Sequence, residues 1–207
     1  MKKKPSRDWK LYVITPGLSA GLETAVRDAV RGGADVIQLR DKKAPDEAVA
    51  EMARKLLAIT RPAGVPLIIN DRPRVAAMAD ADGVHLGQDD GLLTEARRIV
   101  GEGAIIGRST HSAEQAKAAE AEGFDYIGVG PVFATPTKPG YPPVGLELVR
   151  YAASSIGIPF VAIGGIDASN ARTVRNAGAR TIAVVRAVLG SPDPRGAASK
   201  LLKEMGL

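Results

Sequence analysis

Cysteine is absent from the 207 residues, which removes structural disulfides, thiolate metal sites and a cysteine nucleophile together. Histidine occurs only twice, as His85 and His111, too seldom for a multi-histidine metal centre. No apolar run comes near the roughly 18 residues that a membrane span requires. After MKKK the chain reads PSRDWK, where a secretory signal would place an apolar stretch. A broad basic face is missing too. The formal charge is +5, but the first ten residues, MKKKPSRDWK, hold five Lys or Arg and one Asp, so the net charge on the rest is only +1. The excess is therefore read as a solvated basic tail, residues 1–10, and not as a nucleic-acid surface. The expectation is a cytoplasmic chain that partners neither nucleic acid nor membrane, with homo-oligomerisation left open.

What is present is an ordinary globular composition, 45% hydrophobic and 25% charged, in a length that fits one large core. Short β-branched runs alternate with longer amphipathic ones. The strands read LYVIT, VIQLR, PLIIN, GVHLG, AIIGRS, YIGVG, FVAIGG and TIAVV, starting at positions 11, 36, 66, 83, 104, 126, 160 and 181. Between them lie helical stretches such as Pro45–Ile59 and Ala113–Glu122, and Asp167 and Gly178 are placed to cap and to stop the seventh. The segments GGADVIQLR, ADADGVHLG, EGFDYIGVG and NAGARTIAVV echo one another at alternate units. No GxGxxG follows the first strand, which argues against a doubly wound sheet. The fold expected is α/β, a single (β/α)8 TIM barrel over residues 11–207.

Such a barrel carries its active site at the C-terminal ends of the strands, and polar residues gather there. Gln38, Arg40 and Lys42 follow strand 2, Asn70 and Asp71 strand 3, and Gln88, Asp89 and Asp90 strand 4. Arg108, Ser109 and Thr110 follow strand 5, and Thr135, Thr137 and Lys138 strand 6. The N-terminal ends are read as offering only small and turn residues. Because a strand alternates faces, Gln38, Arg40 and Lys42 can point one way while Ile37 and Leu39 face the helices. Two cations there suit an anionic substrate; a polar strand end bound to water is the plainer alternative. Asp71 and Asp90 end neighbouring strands and could share Mg2+, or each could cap a helix. Gly164 and Gly165 could admit a phosphate to the backbone or simply relieve crowding. His111 is either a substrate contact or structural, and His85 is read as core.

Taken together, QLRDK, IND, HLGQDD, GRSTHS, GPVFATPTKPG, AIGGI and VVRAV resemble the thiamine-phosphate synthase family, in the family's order and one per strand end. The resemblance implies an enzyme that joins 4-amino-2-methyl-5-(diphosphomethyl)pyrimidine to 4-methyl-5-(2-phosphoethyl)thiazole, giving thiamine phosphate and pyrophosphate. It implies Gln38, Leu39, Arg40, Asp41, Lys42, Asn70, Ser109 and Lys138 around the pyrimidine diphosphate, with Arg40, Lys42, Ser109 and Lys138 catalytic. It implies Thr135, Pro136, Thr137, Gly165, Val185 and Arg186 around the thiazole phosphate, and Mg2+ on Asp71 and Asp90. Two positions depart from the pattern: Arg72 stands where many relatives have a second Asp, and Arg186 where many have Ser. The rival readings are a thiazole tautomerase or regulator on the same barrel, a non-catalytic phosphate-binding protein, and a sugar-phosphate isomerase, for which no base pair stands out.

Overall fold

The computed structural model describes residues 8–135 and 142–207, and its strands and helices alternate along the chain. In order they are β1 (Leu11–Ile14), α1 (Leu22–Arg31), β2 (Val36–Leu39), α2 (Asp46–Thr60), β3 (Leu67–Asn70), α3 (Pro73–Ala79), β4 (Gly83–Leu86) and α4 (Leu93–Val100). Then follow β5 (Ile105–Thr110), α5 (Ala113–Glu122), β6 (Tyr126–Val129), α6 (Gly145–Ser155), β7 (Phe160–Ile163), α7 (Ala171–Asn176), β8 (Thr181–Val184), α8 (Arg186–Leu189) and α9 (Pro194–Glu204). The strands pair in parallel and in chain order, and β8 closes on β1, so the expected (β/α)8 barrel is the fold. No described helix is long and apolar enough to cross a membrane.

Burial on both faces explains why the strands are short apolar runs. One face of each strand joins a large outer core with the helices, including Ile37, Leu39, Leu67, Ile69, Val84 and Ile106. The other face fills the barrel with Trp9, Tyr12, Ile14, Val36, Ile68, Ile105, Tyr126, Val161 and Ala183. The Trp9 ring lies edge-on to Tyr126 at 5.7 Å between ring centres, and Thr181 donates to the Trp9 carbonyl at 2.7 Å. The Lys10 carbonyl accepts from the Ile182 N–H. Trp9 and Lys10 therefore belong to the barrel's lower end, although charge counting groups them with the tail.

That lower end is not made only of small and turn residues. Asp35 accepts from the Leu11 N–H at 3.0 Å, Asp82 from Leu67 at 2.8 Å and Asp125 from Ile106 at 2.8 Å. Each aspartate also donates its own backbone N–H to the carbonyl of that same residue. The sequence echo is this clamp: one Asp ahead of β2, β4 and β6 closes both backbone groups at the start of the preceding strand. The fourth copy has Arg180 at the equivalent position.

One cap differs from expectation. Asn170, not Asp167, precedes α7. Asp167 instead accepts from the Ser169 N–H at 2.8 Å and hydroxyl at 2.6 Å, a tight turn two residues long that ends before the helix begins. Gly178 does follow the helix, at φ 106°, a conformation that suits glycine.

Candidate active site

A cavity of about 470 Å³ opens at the C-terminal ends of the strands. Gln38, Arg40, Asn70, Ser109, Thr135, Gly165, Val185 and Arg186 all line it, as do His85 and His111. Eight expected substrate residues, from the ends of six strands, thus share one space. Pro136, Thr137 and Lys138 lie outside the described residues.

Arg40 is aimed by its backbone. Its N–H donates to the Thr15 hydroxyl at 2.9 Å, and that hydroxyl donates back to the Arg40 carbonyl at 3.2 Å, locking the end of β2 to the end of β1. Leu39 is fully buried in the outer core, so its side chain does not reach the cavity. Asp41 is committed as well. One carboxylate oxygen accepts from the Lys43 and Ala44 N–H groups at 2.8 Å, and the other from Leu18 at 2.8 Å. These bonds, Leu18 first, hold its carboxyl below the ordinary range. Its role is to fold the loop that presents Lys42.

Lys42, Asp71 and Asp90 do not line this cavity: β2 ends at Leu39, so the alternation that turns Gln38 inward does not reach Lys42, and Asp90 lines a second, smaller pocket with Asp46, Arg72 and Gly91. The Lys42 ammonium lies 3.3 Å from an Asp71 oxygen. Asp71 has φ 62°, a left-handed conformation uncommon for a residue with a side chain, and strain of this kind gathers at functional sites. Asp90 accepts from the Gly87 N–H at 2.6 Å. Burial pushes the Asp90 carboxyl up, and a hydrogen bond to Asp71 with its charge adds to the rise; the Gly87 N–H and Lys42 pull it back. Neither aspartate caps a helix: Arg72 precedes α3 and Leu92 precedes α4.

Two carboxylates in hydrogen-bond contact repel when both ionise, so a cation between them is the natural relief. No group of three or more His, Cys, Asp or Glu could hold a metal among the described residues. The pair fits an ion that takes one or two carboxylates and completes its shell with water and phosphate oxygens, the habit of Mg2+.

The two departures from the family pattern have different fates. Arg72 donates to the Ala44 carbonyl at 2.7 Å and to Asp46 at 3.0 Å, and so anchors the start of α2. Arg186 lines the cavity. Arg108, from β5, steadies the loop that carries Asp90 through the Gly91 carbonyl at 2.9 Å and the Gln88 carbonyl at 3.0 Å. Near β7, Gly165 has φ 63°, and a Cβ there would stand 2.7 Å from the Ala134 carbonyl oxygen. Its own carbonyl is held by Asn170 at 2.9 Å. Only glycine lets the β7 loop pass this close to the β6 loop.

His85, read as core, belongs to the cavity floor, and the rest of that floor went unread in the sequence. Tyr12, Ile14, His85, Tyr126, Val161 and Ala183 line it. The signal was available: Ile14 pairs with Gln38, so the alternation that points Gln38 inward also turns Ile14 and Tyr12 inward.

The family model described as thiamine monophosphate synthase matches residues 11–188. A thiamine-phosphate synthase of Halalkalibacterium halodurans is 46% identical over 97% of this chain and 99% of its own. One from Thermus thermophilus is 48% identical over 95% and 97%. The solved thiamine phosphate pyrophosphorylase of Pyrococcus furiosus superposes with a TM-score of 0.89 at 41% identity, over 97% of both chains. An orotidine 5'-phosphate decarboxylase of Pyrococcus horikoshii, at 19% identity and a TM-score of 0.69, shares the fold alone. With a match from β1 into α8 and relatives at almost half identity over nearly the whole length, the chain belongs to the thiamine monophosphate synthase family.

Proposed function

We propose that the cavity joins 4-amino-2-methyl-5-(diphosphomethyl)pyrimidine to 4-methyl-5-(2-phosphoethyl)thiazole, releasing thiamine phosphate and pyrophosphate. The observation that carries this reading is the cluster of Lys42, Asp71 and Asp90 just past the ends of three neighbouring strands, two of which also turn Arg40 and Asn70 into the cavity. It combines cations for a diphosphate with a carboxylate pair for its metal, in a chain of this family.

In this reading Gln38, Arg40, Lys42, Asn70 and Ser109 hold the pyrimidine diphosphate, with Lys138 assigned from sequence. Thr135, Gly165, Val185 and Arg186 hold the thiazole phosphate, with Pro136 and Thr137 assigned in the same way. The bond between the pyrimidine methylene and the diphosphate oxygen breaks first, and its electron pair leaves with pyrophosphate. The ring spreads the positive charge left on the methylene. The thiazole nitrogen then supplies its lone pair to form the C–N bond. Arg40, Lys42 and Lys138 hold the departing oxygens, the use of prearranged charge that lowers such barriers most. Mg2+ held by Asp71 and Asp90 would add Lewis-acid neutralisation of the same leaving group.

Incubating the protein with both substrates and Mg2+ tests the reading, with thiamine phosphate and pyrophosphate expected in equal amounts. Conversion of a thiazole isomer without coupling would move the assignment to the tautomerase rival. Lys138→Ala should slow single-turnover C–O cleavage more than it weakens thiazole phosphate binding; the reverse order removes Lys138 from the leaving-group site.

A further inference from the structure

Five polar side chains from five strands form one hydrogen-bonded chain across the cavity floor. The Gln38 side-chain nitrogen donates to the Tyr12 hydroxyl at 2.8 Å. The Tyr12 and Tyr126 hydroxyls lie 2.9 Å apart, Tyr126 lies 2.9 Å from His85 Nδ1, and His85 Nε2 lies 3.0 Å from the Ser109 hydroxyl. Both tyrosines are almost fully buried, at 2% and 0% exposure.

Donor and acceptor capacities give this chain a direction. An amide nitrogen only donates, so Tyr12 accepts from Gln38 and places its own proton toward Tyr126. Tyr126 then passes its proton toward His85 Nδ1. A neutral imidazole that accepts at Nδ1 carries its hydrogen on Nε2, so Ser109 accepts from His85. The Ser109 proton is left for the cavity, and the Gln38 side-chain oxygen is left as an acceptor. Gly107 makes the middle link possible. It lies beside both residues in the sheet, and a Cβ on it would stand 2.2 Å from the Tyr126 ring and 2.6 Å from His85 Nδ1.

We propose that Tyr12 and Tyr126 are positioning residues: they hold His85 in the Nε2–H form and thereby make Ser109 a donor and Gln38 an acceptor toward the substrate. The recognition half of this rests on reading the cavity as a pyrimidine site. An aminopyrimidine brings the complement, an amino group that donates and a ring nitrogen that accepts. A ring with an oxygen in place of the amino group meets the Gln38 oxygen with another acceptor.

Nitrogen-15 NMR of the histidine side chains in the ligand-free protein at neutral pH tests the positioning half without any turnover. His85 should show the Nε2–H pattern. His111 serves as an internal contrast, because its Nδ1 faces the Gly130 carbonyl, which only accepts, and so must carry the proton. Tyr126→Phe should redistribute the His85 tautomers. It should also raise KM for the pyrimidine diphosphate about tenfold, the scale of one oriented hydrogen bond, while KM for the thiazole phosphate holds. His85 resting as Nδ1–H in the unaltered protein overturns the proposal whatever the activity. So does a Tyr126→Phe variant whose two KM values rise equally with the tautomer unchanged, since that pattern belongs to a packing role. If the variant does not fold, the spectrum of the unaltered protein still decides. Absence of synthase turnover with His85 held as Nε2–H sinks the assigned reaction and leaves the tautomer assignment standing.

Discussion

At the scale of the residue, the site depends on side chains that do one job because a neighbour prevents another. Arg40 faces the cavity because Thr15 takes both of its backbone groups. Its guanidinium belongs to the leaving-group side in the proposed reaction. Arg40→Ala should therefore lower kcat about a hundredfold, roughly the 3 kcal/mol that one prearranged contact contributes, with the fold intact by circular dichroism. A loss confined to KM would make Arg40 a binding residue only. Gly107 acts by having no side chain. Gly107→Ala puts a methyl against Tyr126 and His85 and should cost about 1–3 kcal/mol of stability, the usual cost of overpacking a filled core. Urea denaturation with an unchanged slope measures it; a neutral result would mean that the two rings yield easily and that their arrangement is not fixed.

At the scale of the element, the loop between β2 and α2 shows what the sequence reveals and what it conceals. QLRDK marks polar residues at a strand end, and alternation assigns their faces, so Gln38 and Arg40 were legible. Asp41 was not. Nothing in its spacing says that its carboxylate closes three backbone N–H groups, one of them 23 positions away at Leu18, because that partner arrives only when β2 pairs with β1 in the folded chain. The floor was concealed for the same reason: Tyr12 and Tyr126 are separated by 114 positions yet share a hydrogen bond. The Asp35, Asp82 and Asp125 clamp lay in plain view as an echo, but a repeated small turn and a repeated aspartate are hard to separate until the strand before each is seen to receive it. Asp41 also carries a pH dependence. Its carboxyl is held below the ordinary value, so its contribution is present above the unfolded pKa of about 4 and is lost as pH falls through the lower folded value. Asp41→Asn should therefore destabilise at neutral pH, with the gap from the unaltered protein closing below about pH 4. A gap constant down to pH 2 in chemical denaturation would show that the charge contributes nothing to the loop.

At the scale of the whole molecule, the barrel separates what keeps it folded from what the proposed reaction would use. The lower end carries the aspartate clamps, which satisfy strand-end backbone groups; the upper end carries Asp71 and Asp90, which crowd two carboxylates together. Asp82 and Asp71 bracket β3, and the four-residue step from Leu67 to Asp71 spans about 13 Å at the rise of a strand. Substitutions at the two ends should act independently. Asp82→Ala leaves the Leu67 N–H without its side-chain acceptor and should cost about 1–3 kcal/mol of stability, with kcat and both KM values unchanged. Asp90→Ala should do the opposite. It relieves burial of a carboxyl beside Asp71 but takes the acceptor from the Gly87 N–H, so the two effects offset and the metal-free protein should stay close to its original stability, while turnover falls and added Mg2+ ceases to raise the melting temperature as binding to the folded state requires. The double variant should then show the stability of Asp82→Ala and the activity of Asp90→Ala, with the stability changes summing to within about 0.5 kcal/mol. A melting temperature that still climbs with Mg2+ in Asp90→Ala would take that carboxylate out of the proposed metal site. A larger departure from additivity would mean that strain at Asp71 is transmitted along β3, joining the two ends that the fold keeps apart.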